Sequence, residues 1–496
     1  MVMSVRRAAA LTLSLSAAAA LTAVTASPSN AASAATTPPD AAGAVASPSR
    51  PAGTAAPSNA AVPSSGGRAT GVELRLPAPS GPYAVGRDVL HLTDTARTDP
   101  WVPSAGARRL MVSMYYPART AGDGAPAPYM TVEEARLLLK AQGQDKLLAP
   151  EVLAGARTNA RFGARPAGGR HPLVLVSPGF SLNRATLTVL SEDLASRGYV
   201  VALVDHAYES FGTTFPDGRT LTCVACETVE GAPTDAAEKE LLARAATGRA
   251  ADLSFVLDAL TGRRASAVGQ ASGDGSATGE APDRTSVKDQ AAVKDEAAVK
   301  DEAAVKDEAS AAGDRTADQA SAVGDRTAGR RPVWKRSGMI DTRRIGAVGH
   351  SLGGNAAASL MAGDRRVHAG VDMDGTFFAP VPDSGLGGRP FMMLGTAAGH
   401  SPGSEDASWS RDWARLDGWK RWLTVKDTGH FSFIDIPVLG EQLGVTDPGA
   451  PLRGSRSAKI TTSYVGAFFD RHLLGKAQPL LDGPSPADPE VTFHNP

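Results

Sequence analysis

From about residue 110 onward, apolar residues fall into short runs, separated by stretches in which they recur every three or four positions. The runs lie at 110–116, 172–177, 199–205, 344–349, 369–374, 390–395 and 421–426. Several are continuous Val, Leu, Ile and Ala with no polar alternation, the pattern of strands covered on both faces. The intervening stretches have helical spacing. Leu187, Leu190 and Leu194 share one face and Gly198 stands where a C-cap is needed. Leu253, Val256, Leu257 and Leu260 do the same ahead of Gly262. A last helix is predicted near 459–474, with Val465, Phe468 and Phe469 as its core face. Strands and helices in alternation predict an α/β class with a mostly parallel central sheet and helices on both faces. The strands before Pro172 are predicted to form an antiparallel edge hairpin.

Two regions break this pattern. Residues 27–71 are Ala, Pro, Ser, Thr and Gly almost throughout. Such a segment buries too little apolar surface to offset its ordering entropy and reads as a linker. Residues 263–335 form a second low-complexity block, in which Val-Lys-Asp-(Gln/Glu)-Ala recurs every six residues with Val287, Val293, Val299 and Val305 in register. Six residues turn through about 600° on a helix, so these valines point in three directions and make no coiled-coil seam. Glu296 with Lys300, and Glu302 with Lys306, have the favourable i, i+4 order, as in a solvated, fraying helix or plain disorder. A folded domain is therefore expected over 72–474, interrupted by the 263–335 insertion and followed by a 475–496 tail. The insertion joins a helix to the 344 strand, at the edge of the sheet opposite the one where ligands bind.

Composition adds an address and removes some classes of function. Arg6 and Arg7 precede an apolar run from Ala8 to Val24, with small-residue cleavage candidates at Val24-Thr25-Ala26 and Ala32-Ser33-Ala34. Residues 1–26 read as a signal peptide of Sec or loosely twin-arginine type, giving a secreted protein. An uncleaved anchor is the rival reading, but the run is at the short limit for spanning and no basic stop-transfer flank follows. The formal net charge of the 496-residue chain is −1, and no basic run is interleaved with aromatics, so no nucleic-acid partner is expected. Cys223 and Cys226 are the only cysteines. In an exported chain a Cys-x-x-Cys pair suggests a small local disulfide, since one pair is too few ligands for zinc. No cofactor and no metal are expected.

The strongest chemical signal is Gly349-His350-Ser351-Leu352-Gly353, followed by Gly354. It lies between a buried-strand pattern at 345–348 and an Ala-rich helical pattern at 355–361, the strand–turn–helix context of a nucleophile elbow. A serine hydroxyl needs a base, and in this arrangement the order is Ser, then Asp or Glu, then His. Of the later histidines, His368 precedes a strand, His472 falls in the last helix and His494 in the tail. His400 and His430 each lie in a loop after a strand. His430 is the expected base, because it follows the last good strand and has apolar flanks. His350 adjoins the serine and is expected to point away from it. Asp374, at the end of its strand and before Gly375, is the expected acid, with Asp427 and Asp372 as rivals. Asp372 lies one pleat deeper, where a charge needs a partner. The oxyanion hole is expected from the backbone N–H groups of Leu352 and of Phe180 in Pro178-Gly179-Phe180-Ser181.

The chain resembles the platelet-activating factor acetylhydrolase family, specifically its bacterial exported relatives. The resemblance is carried by residues 76–83, 109–117, 172–209, 249–260 and 344–354, and covers most of 72–474 outside the repeats. Ser351 and Asp374 are 23 positions apart, similar to the family's placement of the acid on the strand just after the nucleophile's helix. Two features depart from the family: the repeat insertion, and Pro178-Gly179-Phe180-Ser181 where His-Gly and a second Gly are common. The resemblance implies an α/β-hydrolase fold and a metal-independent esterase acting on short or oxidised acyl chains of phospholipid-type esters. Its partners would be a small-molecule or lipid ester and, transiently, a lipid surface. The competing expectations are a cutinase-like polyester or triglyceride hydrolase with the same triad, and a catalytically inactive member of the fold used for binding.

Overall fold

The computed structural model describes residues 72–262 and 332–494, apart from 121 and 123. The expected signal peptide, the linker and the hexapeptide repeats lie outside the described residues.

The chain opens with β1 (Ala84–Thr98) and β2 (Ala107–Ala118), an antiparallel pair, and β3 (Arg161–Phe162). The parallel part follows: β4 (His171–Ser177), β5 (Val200–His206), then, beyond a small β6 (Thr213–Thr214) and β7 (Thr220–Leu221) ribbon, β8 (Ile340–His350), β9 (Ala369–Met373), β10 (Phe391–Thr396) and β11 (Lys420–Val425). A short β12 (Val491–Phe493) ends the described chain. The main sheet has the order β12-β11-β10-β9-β8-β4-β5-β2-β1-β3. From β11 across to β5 every pairing is parallel, and β2 joins β5 antiparallel, so the predicted edge hairpin is present.

The continuous apolar runs split between two faces because successive strand side chains point to opposite sides. Val174, Val176, Val201 and Leu203 pack on one side with Leu187, Leu190 and Leu194 of the helix Thr188–Ser196 and Val465, Phe468 and Phe469 of the helix Gly454–Leu474. Leu173, Leu175, Val200, Ala202 and Val204 pack on the other with Leu253, Val256, Leu257 and Leu260 of the helix Asp235–Thr261 and Ala357 and Leu360 of the helix Leu352–Gly363. A mostly parallel sheet with helices on both faces is the α/β-hydrolase fold expected.

Two boundaries differ from the reading by pattern. The block expected at 263–335 returns to the fold earlier: Val333 N–H donates to Ala259 O at 3.0 Å, and the buried Trp334 donates from Nε1 to Asp88 Oδ2 at 2.8 Å. The indole is apolar surface that the polar repeats lack, and burying it ends the insertion. The expected tail also belongs to the domain. Leu481 is buried, and Val491 and Phe493 pair antiparallel with Val425 and Leu423. Three residues of strand among Pro, Asp and Asn show no readable period. The ends of the insertion meet near the start of β8, and Ser351 follows the other end of that 11-residue strand.

Candidate active site

Ser351 sits between β8 and the helix Leu352–Gly363 with φ +56° and ψ −127°. A non-glycine residue held there costs on the order of 1–3 kcal/mol, so the turn must be fixed by its surroundings. The flanking glycines make that possible. A Cβ on Gly349 would overlap the Gly353 backbone, and one on Gly353 would overlap the Ser177 carbonyl. Ser351 N–H donates to Met373 O at 2.8 Å, tying the turn to the end of β9.

Asp374 follows directly, also at φ +56°, with its N–H on Leu394 O at 2.9 Å. Its carboxylate is buried and shared. Oδ2 accepts from His430 Nδ1 at 2.7 Å, while Oδ1 accepts from Thr396 N–H at 2.6 Å and His400 Nδ1 at 2.8 Å. Burial pushes this carboxyl up, but the His400 charge and the hydrogen bonds from both imidazoles outweigh it and hold it well below the usual range. His430 begins the short 3-10 turn His430–Phe433 beyond β11 and is partly open to solvent. With its Nδ1 proton on Asp374, Nε2 is the ring atom left to accept a proton. Among the described residues no hydrogen bond joins Ser351 Oγ to His430. Such bonds are often long before substrate binds.

His350 connects the two sides of the site. It is fully buried, and its Nε2 donates to the His430 carbonyl at 2.7 Å, with ring centroids 4.6 Å apart. Burial, and then the neighbouring His430, pull its pKa down to about 3. It thus points toward the base and supports it, where the sequence suggested only a ring turned away from the serine. The rivals separate from the site in different ways. Asp427 is exposed beside Lys426. Asp372 is buried with no cation in hydrogen-bond range, and its Oδ1 packs against Gly354 and Gly375. Burial pushes its carboxyl well above the usual range, toward the neutral acid, so the partner that a charge at this depth would need is not called for. His368, His472 and His494 meet Ile345, Trp419 and Thr424, away from the serine.

The Pro178–Ser181 loop is held from behind. Arg249 Nη1 donates to Pro178 O at 2.6 Å, Ser181 N–H to Glu209 O at 3.0 Å, and Phe211 N–H to Ser181 O at 2.8 Å. Ser181 itself has φ +69°. The amides of Phe180 and Leu352 make no hydrogen bond among the described residues, and their side chains share one apolar cluster with Trp101 and Phe378. Cys223 and Cys226 form a disulfide that packs against Trp101, Phe180 and Phe211. Beneath the loop lies a buried ionic network that the pattern reading missed. Arg249 pairs with Glu209, Glu209 with Arg108, Arg108 with Asp99 and Asp252, and Asp252 with His206, whose Nε2 meets Ser177 Oγ at 3.0 Å. The isolated charges in otherwise apolar 202–209 and 249–260 were the available signal.

Comparison with known proteins places this geometry in a group. A family model described as platelet-activating factor acetylhydrolase, isoform II, matches residues 69–220, which include the Phe180 loop but end before Ser351. A probable 1-alkyl-2-acetylglycerophosphocholine esterase of Arthroderma benhamiae is 26% identical over 448 residues, covering 84% of this chain and 93% of that protein. The solved structure of a ferulic acid esterase from Streptomyces cinnamoneus is 35% identical with a TM-score of 0.61, covering 86% of this chain and 100% of that one. The fold and these relatives agree: the chain belongs to the platelet-activating factor acetylhydrolase-like family of carboxylic ester hydrolases.

Proposed function

We propose that the protein is a secreted serine esterase that works by acyl transfer through Ser351, His430 and Asp374. The observation that carries this reading is the 2.7 Å bond from His430 Nδ1 to Asp374 Oδ2, which fixes the tautomer a general base needs. Ser351 Oγ attacks the ester carbonyl as His430 Nε2 takes its proton. The tetrahedral oxyanion is received by the Phe180 and Leu352 amides, each such donor being worth roughly 10²–10³ in rate. His430 then protonates the leaving alcohol, and water, deprotonated by the same ring, releases the acid and frees Ser351. Secretion rests on Arg6, Arg7 and the apolar run behind them.

For substrate, the fungal relative's name and the family model favour short-acyl or oxidised phospholipid-type esters, met at a lipid surface or free. A second reading has one specific support. The ferulic acid esterase is the more similar of the two relatives, and Phe180, Trp101 and Phe378 line up beside Leu352 as partly buried aromatics, as an acceptor of bulkier or aromatic esters would require. A rate series from acetyl to palmitoyl glycerophospholipids, run beside methyl ferulate, tests the choice. The first reading expects kcat/KM to fall steeply with chain length and methyl ferulate to be poor. Equal rates throughout, or methyl ferulate as the best ester, would overturn it.

A further inference from the structure

The mechanism above uses one of the two imidazoles on Asp374. The other belongs to His400, whose side chain is 8% exposed. Both of its nitrogens face carboxylate oxygens: Nδ1 lies 2.8 Å from Asp374 Oδ1 and Nε2 lies 3.2 Å from Asp406 Oδ2. A carboxylate oxygen only accepts, so a ring bonded to one at each nitrogen carries both protons and a full charge. The surroundings are built to hold that cation in place. The ring stacks on Trp409 with centroids 4.2 Å apart, presenting charge to an indole face. Trp422 Nε1 donates to the His400 carbonyl at 2.7 Å, and Trp409 Nε1 to Gly375 O at 2.7 Å, one residue beyond Asp374. Asp406 is itself fixed by Thr376 Oγ1 at 2.8 Å and Ser408 N–H at 2.8 Å.

We propose that His400 is a positioning residue for the esterase reaction: an imidazolium clamped between Asp374 and Asp406, it occupies Asp374 Oδ1 and leaves Oδ2 to His430. The inference rests on the Ser351–Asp374–His430 reading. The charged and titratable groups facing His400 are few. Asp374 and the neutral Asp372 approach from the end of β9, and Asp406 from the loop ahead of the helix Ser408–Arg415. From that helix Arg411 acts on Asp406, and His430 stands across Asp374. The clamp has two effects. Geometrically, it stops the Asp374 carboxylate from rotating away from His430. Electrostatically, its charge holds the Asp374 carboxyl ionised against the burial that would otherwise make it easier to protonate. Burial opposes the His400 charge, but Asp374 and Asp406 win and raise the ring's pKa to about 10.

The test uses the full chain and three variants. Ring-nitrogen NMR should show one histidine protonated at both nitrogens near pH 8, a signal absent from His400→Gln. In the same variant, loss of the cation favours a proton on the Asp374–His430 pair, so the acid limb of kcat/KM moves to higher pH. A shift of about one unit makes the loss in kcat/KM near pH 6 roughly tenfold greater than near pH 9, seen in kcat with KM little changed. A merely structural role would scale the profile down equally at every pH, and that result overturns the proposal, as does a neutral His400 near pH 8. Should His400→Gln fail to fold, Asp406→Asn keeps the ring and its stack. There the His400 signal should lose a proton at lower pH than in the parent, and an unchanged titration overturns the proposal. Ser351→Ala separates the two levels. If it still hydrolyses esters, the underlying triad is wrong. If it is inactive while His400→Gln keeps the parent profile, the clamp alone is wrong.

Discussion

His350 Nε2 donates to the carbonyl oxygen of His430, so the residue before the elbow serine holds the residue proposed as its base. That bond couples β8 to the turn after β11, across the two strands between them in the sheet. His350→Phe keeps the buried ring and removes the donor. The freed His430 turn then shifts, and misplacements near 1 Å cost up to about 10² in rate. We expect kcat on an activated acetate ester to fall by about ten- to a hundredfold with KM nearly unchanged. A variant at parental kcat would remove His350 from the account.

The acid assignment separates cleanly from its rivals. Asp374→Asn leaves the shape but lets His430 take the wrong tautomer, so kcat should fall on the order of 10⁴-fold. Asp427→Asn, exposed beside Lys426, should change kcat by less than about twofold. Steady-state kinetics on the two purified variants checks both.

Two buried histidines should shape stability against pH with opposite signs. His400 is raised from 6.5 to about 10, so its contribution is fully present below pH 6.5 and is lost as pH rises through about 10. His350 is lowered from 6.5 to about 3. Unfolding then takes up a proton as pH falls through that window, and stability declines from pH 6.5 toward 3. Thermal melts should show His350→Phe losing less stability on acidification than the parent, and His400→Gln losing less on the alkaline side.

The ionic network beneath the Phe180 loop gives a stability prediction. Arg249 and Glu209 are each at most 2% exposed, and Arg249 also holds Pro178 O. Removing one partner of a buried pair typically costs about 3–5 kcal/mol, so Arg249→Met should lower the denaturant midpoint markedly. Activity should drop as well in the fraction that remains folded, since the loop loses its anchor. An unchanged midpoint would mean that solvent reaches the network.

The pattern of apolar residues carried most of the fold, because strands covered on both faces leave continuous runs that helices cannot imitate at that length. It lost the end of the insertion and the end of the domain, where the signal shrank to one tryptophan, Trp334, or to the three residues of β12. Gly349, Gly353 and Ser351 were legible as an elbow because strain demands small neighbours in sequence. The roles of His350 and His400 were not, since each acts through a contact made across the sheet: His350 with the His430 carbonyl, His400 with Asp374 and Asp406. The state of Asp372 was hidden for the same reason. Strand register places it deep, but only the packed glycines around it show that no cation bonds its oxygens.

Whether Ser351 is the nucleophile is read out by covalent labelling with a fluorophosphonate probe. After labelling, peptide mass spectrometry should find one adduct, on Ser351, with ester hydrolysis lost in proportion to labelling and no adduct on Ser351→Ala. Full hydrolysis by a protein carrying no adduct, or an adduct confined to another serine, would contradict the account.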